Sequence, residues 1–494
     1  MMKRNILLAT ASTVVLAACG GGGGGGGDVA PTPTPTAAPT MAPTMPPAAS
    51  VCDEAFVSCS GTVATLDGTI DKNFTLEAGF QWRMGGFVKV GSGNVEITSE
   101  AQAQAIRAAG VTLTVPAGTE VLASDADALL LVTRGSRLVA NGTRANPITF
   151  ASLDADFDGT SEWGGIIMQG FAPQFAPGNN GICTGGTLSY CNVAGEGGPE
   201  VAFYGGNNPA DDNGILRYVR IAEGGIGVAA DNEVNGLTLQ GTGYNTVVEF
   251  VQVHNNLDDA FEWFGGTTNA KWIVATGTGD DSIDFDEGWK GNIQYGLVVQ
   301  DQERVDTLGN DPRGIEANSS DEDFVPQTEA ALANILLIGG PSHNSPNSLE
   351  PGMRLRGSVM VDIYNTGVLG FEGNCVRIDD SNTDGIDGAD SFSVVSLTNV
   401  IGDCDGGFYR GSRSADSEVG TVGDQTITLD AAYAITQGVA QLPSAVAIPA
   451  VDNGSGFAFD ATDYIGAVAP GTTAAQAWWA GWTLPGTIPA SITR

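Results

Sequence analysis

The chain has 494 residues and a formal net charge of −36, from 57 Asp and Glu against 21 Lys and Arg. Such an excess of negative charge repels phosphate backbones and anionic lipid surfaces, which excludes nucleic acid as a partner and leaves divalent cations and cationic or neutral ligands. With 70 glycines, short apolar runs bounded by Gly, Asn and Asp, and almost no long 3.6-residue periodicity, the composition excludes a helical protein and predicts an all-β chain.

Residues 1–18 carry a basic pair, Lys3 and Arg4, and then an apolar stretch from Ile6 to Ala18, which reads as a secretion signal. As a helix the stretch would rise only about 20 Å against a bilayer core of roughly 30 Å, so it does not span a membrane. Leu16, Ala17, Ala18 and Cys19 resemble a bacterial lipobox, which implies cleavage before Cys19 and lipids on that cysteine. Gly20 follows, where an Asp would retain the protein at the inner membrane, so the expected destination is the outer membrane. Residues 19–50 hold a run of glycines and then a Pro-, Thr- and Ala-rich stretch that can bury no core. They read as a flexible tether, with the rest of the chain expected on the extracellular face.

Residues 51–110 read as an N-terminal cap region, 111–410 as a repeating body and 411–494 as a C-terminal capping region. Beyond Cys19 the cysteines fall into neighbouring pairs, Cys52 with Cys59, Cys183 with Cys191 and Cys375 with Cys404. An even count in an exported chain favours disulfides, these pairings being the candidates among several connectivities. Two Asp-rich loops place oxygen donors at alternate positions beside a Gly turn: Asp154, Asp156 and Asp158, and then Asp380, Asn382 and Asp384. That spacing suits a hard cation such as calcium, although the Glu that closes an EF-hand loop is missing from the second, where Ser391 stands. Solvated Asp-rich turns are the alternative. No motif calls for a nucleotide or redox cofactor.

Repetition decides the kind of β fold. Asp258, Asp259 and Gly266 recur as Asp280, Asp281 and Gly288, and Phe261, Glu262 and Trp263 recur as Ile283, Asp284 and Phe285. A 22-residue offset fits one coil of a parallel β-helix, whereas a propeller blade needs about twice that length. Strand alternation turns Phe261, Trp263, Ile283 and Phe285 inward. Glu262, Phe264, Asp284 and Asp286 then point outward and, with Trp289, form the expected ligand face. With coils about 4.8 Å apart, Glu262 lies over Asp284 and Asp258 over Asp280. Carboxylates so placed repel by roughly 3 kcal/mol at an effective dielectric of 20. Solvent, a raised pKa or a bound cation must relieve the stack, to which Asp281 also belongs. His254 has no second His or Cys at ligand spacing and reads as a half-buried or turn residue.

The phrases "LTVPAGTEVLASDADALLLVTRGSRLVANGTRANPITFAS", "EWGGIIMQG", "DNGILRYVRI", "DDAFEWFGGTTNAKWIVATGTGDDSIDFDEG" and "WWAGWT" resemble a family of exported bacterial right-handed parallel β-helix lipoproteins, pectate-lyase-like in fold. The resemblance runs from about Leu113 onward and implies a fold more than an activity. Two Asp pairs one coil apart also resemble the catalytic core of pectin-hydrolysing β-helix glycosidases, with Asp258, Asp259, Asp280 and Asp281 in the roles of acid and base. The Gly-His-Gly and Arg-x-Lys phrases of those enzymes are absent. Related lyases use an Arg or Lys base near calcium, and here the central coils offer chiefly Lys271, Lys290 and Arg304. Trp478, Trp479 and Trp482 are expected to cover the open end of the solenoid. The reading is therefore a surface lipoprotein that captures an extracellular ligand for a TonB-dependent-type uptake receptor, or adheres to an extracellular polysaccharide. A polysaccharide hydrolase or lyase is the alternative.

Overall fold

A computed structural model describes residues 50–492 apart from 155, 176–188, 230–231, 302–311, 320–324, 341–348, 380–392, 412–416 and 420–421. The repeats form a right-handed parallel β-helix with three faces. The first face stacks the short strands Leu129–Val132, Ile166–Gln169, Leu237–Gln240, Phe261–Phe264, Ile283–Asp286, Ile315–Ala317, Met353–Arg356, Val376–Asp379 and Tyr409–Gly411. The other two faces are the two halves of longer strands, among them Val247–His254, Ala270–Thr276, Lys290–Val299, Glu329–Ile338, Met360–Leu369 and Val394–Asp403.

Each of these longer strands bends at one residue with positive φ: Phe250, Trp272, Tyr295, Asn334, Asn365 and Asn399, preceded in the stack by Tyr218. Asparagine tolerates this left-handed conformation, but bulky aromatics do not adopt it freely. Stacking offsets the cost. Tyr218 lies 4.4 Å from Phe250, Phe250 4.5 Å from Trp272 and Trp272 5.6 Å from Tyr295, all nearly parallel. Further along, Asn399 donates its side-chain N–H to the Asn365 amide oxygen at 3.0 Å.

Phe261, Trp263, Ile283 and Phe285 are fully buried, and Phe261 pairs with Ile283, Glu262 with Asp284 and Trp263 with Phe285, so the expected register is the observed one. Coils begin earlier than the suggested boundary at 111, because Val63–Ile70 already pairs in parallel with Gln81–Val90. The end is closed by an antiparallel hairpin at Val57–Ser60, by Phe56 against Phe74, and by the Cys52–Cys59 disulfide. Cys375–Cys404 also forms, whereas Cys183 lies outside the described residues.

The C-terminal residues do not cover the far end as expected. They run along the flank. Trp482 packs edge-on against Tyr218 and Phe250, the Gly466 N–H donates to the Asn365 carbonyl, and Arg144 donates to the Ala480 carbonyl near the opposite end. The reason is apolar area. Val274, Leu297, Val299, Leu336, Ile338, Leu369 and Ile401 lie outside the main core cluster and form one buried cluster with this segment.

Truncating Trp263 to Ala removes a fully buried indole and is expected to cost about 3 to 5 kcal/mol in chemical denaturation. Phe264→Ala, which trims a half-buried ring on the other side of the same strand, is expected to cost clearly less. Equal losses would refute the inward assignment.

Candidate functional site

Parallel register turns the outward positions of the first face into columns. One column reads Thr238, Glu262, Asp284, Glu316, Arg354, Arg377 and Arg410 on successive rungs. Its neighbour includes Gln240, Phe264 and Asp286 and, further on, Arg356 beside Asp379. The face thus passes from amides through carboxylates to arginines within a few coils.

Beside these columns runs a polar ladder. The Asp259 N–H donates to the Asn235 side-chain oxygen at 3.2 Å, the Asp281 N–H to the Asp259 carboxylate at 2.7 Å, and the Arg313 N–H to the Asp281 carboxylate at 2.9 Å. In each case a side chain caps the backbone of its counterpart one coil on. The second Asp of each pair is therefore a scaffold residue. Asp281 is also not a bare member of a repelling stack, as the sequence suggests. The buried Arg313 guanidinium pairs with it at 3.2 Å, with Glu316 at 2.6 Å and with Glu350 at 2.8 Å.

An antiparallel hairpin, Tyr190–Ala194 with Phe203–Gly206, lies over the earlier rungs. Phe264 packs beneath it against Cys191, Val193 and Tyr204, and the Tyr204 hydroxyl donates to Glu287. Glu196, on the connection between the two hairpin strands, and Glu262 both accept from the Asn235 amide. This cover leaves Glu262 only 7% exposed. Trp289, expected on the ligand face, is instead fully buried in the coil interior against Trp263 and Phe285, its indole N–H donating to the Thr268 carbonyl.

Carboxylate oxygens gather in three overlapping groups, each within 4.8 Å: Asp258, Asp259 and Asp280; Asp259, Glu262 and Asp284; Asp281, Asp284 and Glu316. One oxygen of Asp284 and one of Asp286 are buried with no hydrogen-bond donor. Burial, and then neighbouring carboxylates, pushes Asp258 up to about 8 and raises Asp259, Glu262, Asp284 and Asp286 well above the carboxylate range. Burial also lifts Asp281 despite Arg313, and brings Glu196 to about 7 and Glu287 to about 8. Glu316 goes the other way: burial opposes its ionisation, but Arg313 and Arg356 outweigh that and hold it at about 2. Such a set can hold a hard divalent cation or keep protons at neutral pH.

Sequence reasoning located the four Asp residues and the outward acids, and missed Glu196, Glu287, Glu316, Arg313, Arg354, Arg356 and Arg377. The alternation in "MRLR" and "VRID" carried that signal. Lys271 and Lys290 stand away from this face, paired with Asp460 and Glu329, and Arg304 lies outside the described residues. The Asp380, Asn382 and Asp384 loop also lies outside them, as does Cys19. His254 is buried at the end of the strand Val247–His254, not in a turn, with its ring nitrogens facing Thr276 and the Phe157 carbonyl, and takes no place in this site.

A family model described as a pectate-lyase like β-helix domain matches residues 91–483. Among solved structures, the periplasmic alginate epimerase AlgG is similar at 11% identity, covering 74% of this chain and 78% of that one, with a TM-score of 0.25. A point mutant of the same enzyme is similar at 12% identity over the same shares, with a TM-score of 0.24. No curated protein matches the chain.

The raised values fix a pH dependence. Unfolded Asp and Glu titrate near 4, whereas folded Glu196, Asp258 and Glu287 hold their protons to about 7 or 8. Their contribution to stability is complete below about pH 4 and is lost as pH rises through about 8. The melting temperature of chelator-treated protein is therefore expected to fall from about pH 5 to about pH 8. A melting temperature that rises over this range would contradict the buried carboxylate set.

Proposed function

We propose that this chain, which belongs to the pectate-lyase-like β-helix family, is a lipid-tethered receptor on the outer face of the outer membrane that takes an acidic polysaccharide along the first face of the solenoid. The single column that runs Glu262, Asp284, Glu316, Arg354, Arg377, Arg410 carries the reading. Arginine binds carboxylate through a planar fork of N–H donors, which suits a uronate polymer. Arg354, Arg356 and Arg377 remain 27%, 39% and 23% exposed, so a ligand can reach them. A divalent cation held by the preceding carboxylates would bridge to further ligand carboxylates and offset the repulsion between two polyanions. Lipidation at Cys19 and the tether of residues 19–50 would hold this face outside the cell, where an uptake receptor could receive the captured polymer.

A second reading, a hydrolase or lyase using the central carboxylates, is favoured by Asp258, which at about 8 keeps a proton beside Asp280. Against it, oxygens of Asp259 and Asp281 are committed to backbone N–H groups.

Polygalacturonate and alginate are expected to bind the purified chain in calcium more tightly than neutral dextran does. The variant Arg354→Ala/Arg356→Ala/Arg377→Ala should lose about tenfold or more in affinity, since each charge-assisted contact is worth about 1.5 to 3 kcal/mol. Unchanged binding by that variant, or dextran binding as tight, would overturn the ligand assignment. New reducing ends or unsaturated products that vanish in Asp258→Asn would replace capture with catalysis. For the anchor, Cys19→Ala should release the protein from membranes, and protease added to intact cells should remove the wild type; protection until the outer membrane is broken would refute surface display.

A further inference from the structure

A second acidic cluster sits on a different part of the solenoid. Asp154 and Asp156 belong to the loop that follows the strand Ile148–Ser152, and Glu223 follows the strand Gly214–Ala222 of the next coil. One carboxylate oxygen from each lies within 4.8 Å of the others. The loop is docked on the Glu223 turn by backbone bonds, the Ser161 and Glu162 N–H groups donating to the Gly224 and Glu223 carbonyls at 3.0 Å. Gly159 lets the loop fold back, because a Cβ there would strike the Glu162 carboxylate, which itself has Ser152 and Asp154 as neighbours.

Glu223 is fully buried, and one of its carboxylate oxygens has no hydrogen-bond partner. Its other oxygen lies 2.7 Å from the Ser152 hydroxyl, which also meets Asp154. Among the described residues, no ion pair involves Asp156, Glu162 or Glu223. A buried carboxylate oxygen without a hydrogen-bond donor is costly, and a cation would supply what the protein does not.

We infer that Asp154, Asp156 and Glu223, with Glu162, form a calcium site distinct from the carboxylates of the first face. All the donors are oxygens, drawn from a loop and a turn rather than from a rigid cage, the setting that calcium accepts and magnesium, with its strict octahedron, does not. Asp156 stands on the wall of a cleft of about 650 Å³, which gives the ion a way in. Bound there, calcium fastens the loop after one coil to the turn after the next. The site does not depend on the polysaccharide reading and would remain if that reading failed.

The test uses the full chain stripped with chelator and titrated with calcium alone, followed by calorimetry and by thermal melting. Glu223→Gln, which keeps size and removes charge, is expected to weaken one calcium-binding event about tenfold or more. It should melt no lower than wild type in chelator and lower than wild type in calcium. Asp258→Asn, on the first face, should leave that event in place. Asp156→Asn, at an exposed position and therefore tolerant of change, should repeat the Glu223→Gln result and decides the matter should that variant misfold. Calcium titrations of both variants indistinguishable from wild type would overturn the site, as would a calcium response removed wholly by Asp258→Asn.

Discussion

Every coil of this protein is laid on the one before it at a spacing of about 4.8 Å, so each side chain has its own counterpart as nearest neighbour. That constraint rewards repetition where like residues attract and penalises it where they repel. Inside the coil, the pairings of Phe261 with Ile283 and of Trp263 with Phe285 are the rewarded kind. At the bend, four stacked aromatics and then asparagines hold a backbone conformation that none of the aromatics would choose alone. On the outside, Glu262 over Asp284 is the penalised kind, and the surrounding structure is arranged to relieve it with hydrogen bonds, arginines and retained protons.

The same constraint explains what the sequence discloses. Where two rungs follow at a constant offset, as from residue 261 to 283, the repeat is visible and both the inward face and the outward acids can be read directly. Where segments of other lengths intervene the offset dissolves: Glu316 lies 32 residues after its partner Asp284, and Arg354 38 residues after Glu316. The arginines therefore look unrelated to the acids until the coils are closed. Trp289 was misplaced because alternation was extended past the strand end at Asp286, into a turn that swings the indole inward. The Asp281 counter-charge was invisible for the same reason, since Arg313 is adjacent only through the coil. The flank cover did leave a trace. Strands such as Lys290–Val299 and Glu329–Ile338 are apolar on both faces along their second halves, which requires a layer on each side.

Burial gives the carboxylate face a character that an exposed acidic patch would lack. With Glu262 and Asp259 largely screened from water, burial and neighbouring carboxylates favour retained protons on the same oxygens that a cation would need, so pH would govern whether one could enter. The arginine rungs are tied into this set through Glu316, whose oxygens meet Arg313, Arg354 and Arg356 together. A change of charge at the acids is thereby felt by the arginines.

The C-terminal segment has a consequence for how the molecule is assembled. A solenoid on its own is stabilised by contacts between successive coils, so it can grow from one end and fray from either. Here the contact between Arg144 and Ala480 spans 336 positions of sequence, and Gln252 reaches Thr487 across 235. Loops that long close slowly, and until they do the apolar flank stays open to water and to other chains. The segment that covers the flank is thus the clasp that turns a stack of independent coils into a single cooperative body, and a chain cut short before it would present a long sticky edge to its neighbours.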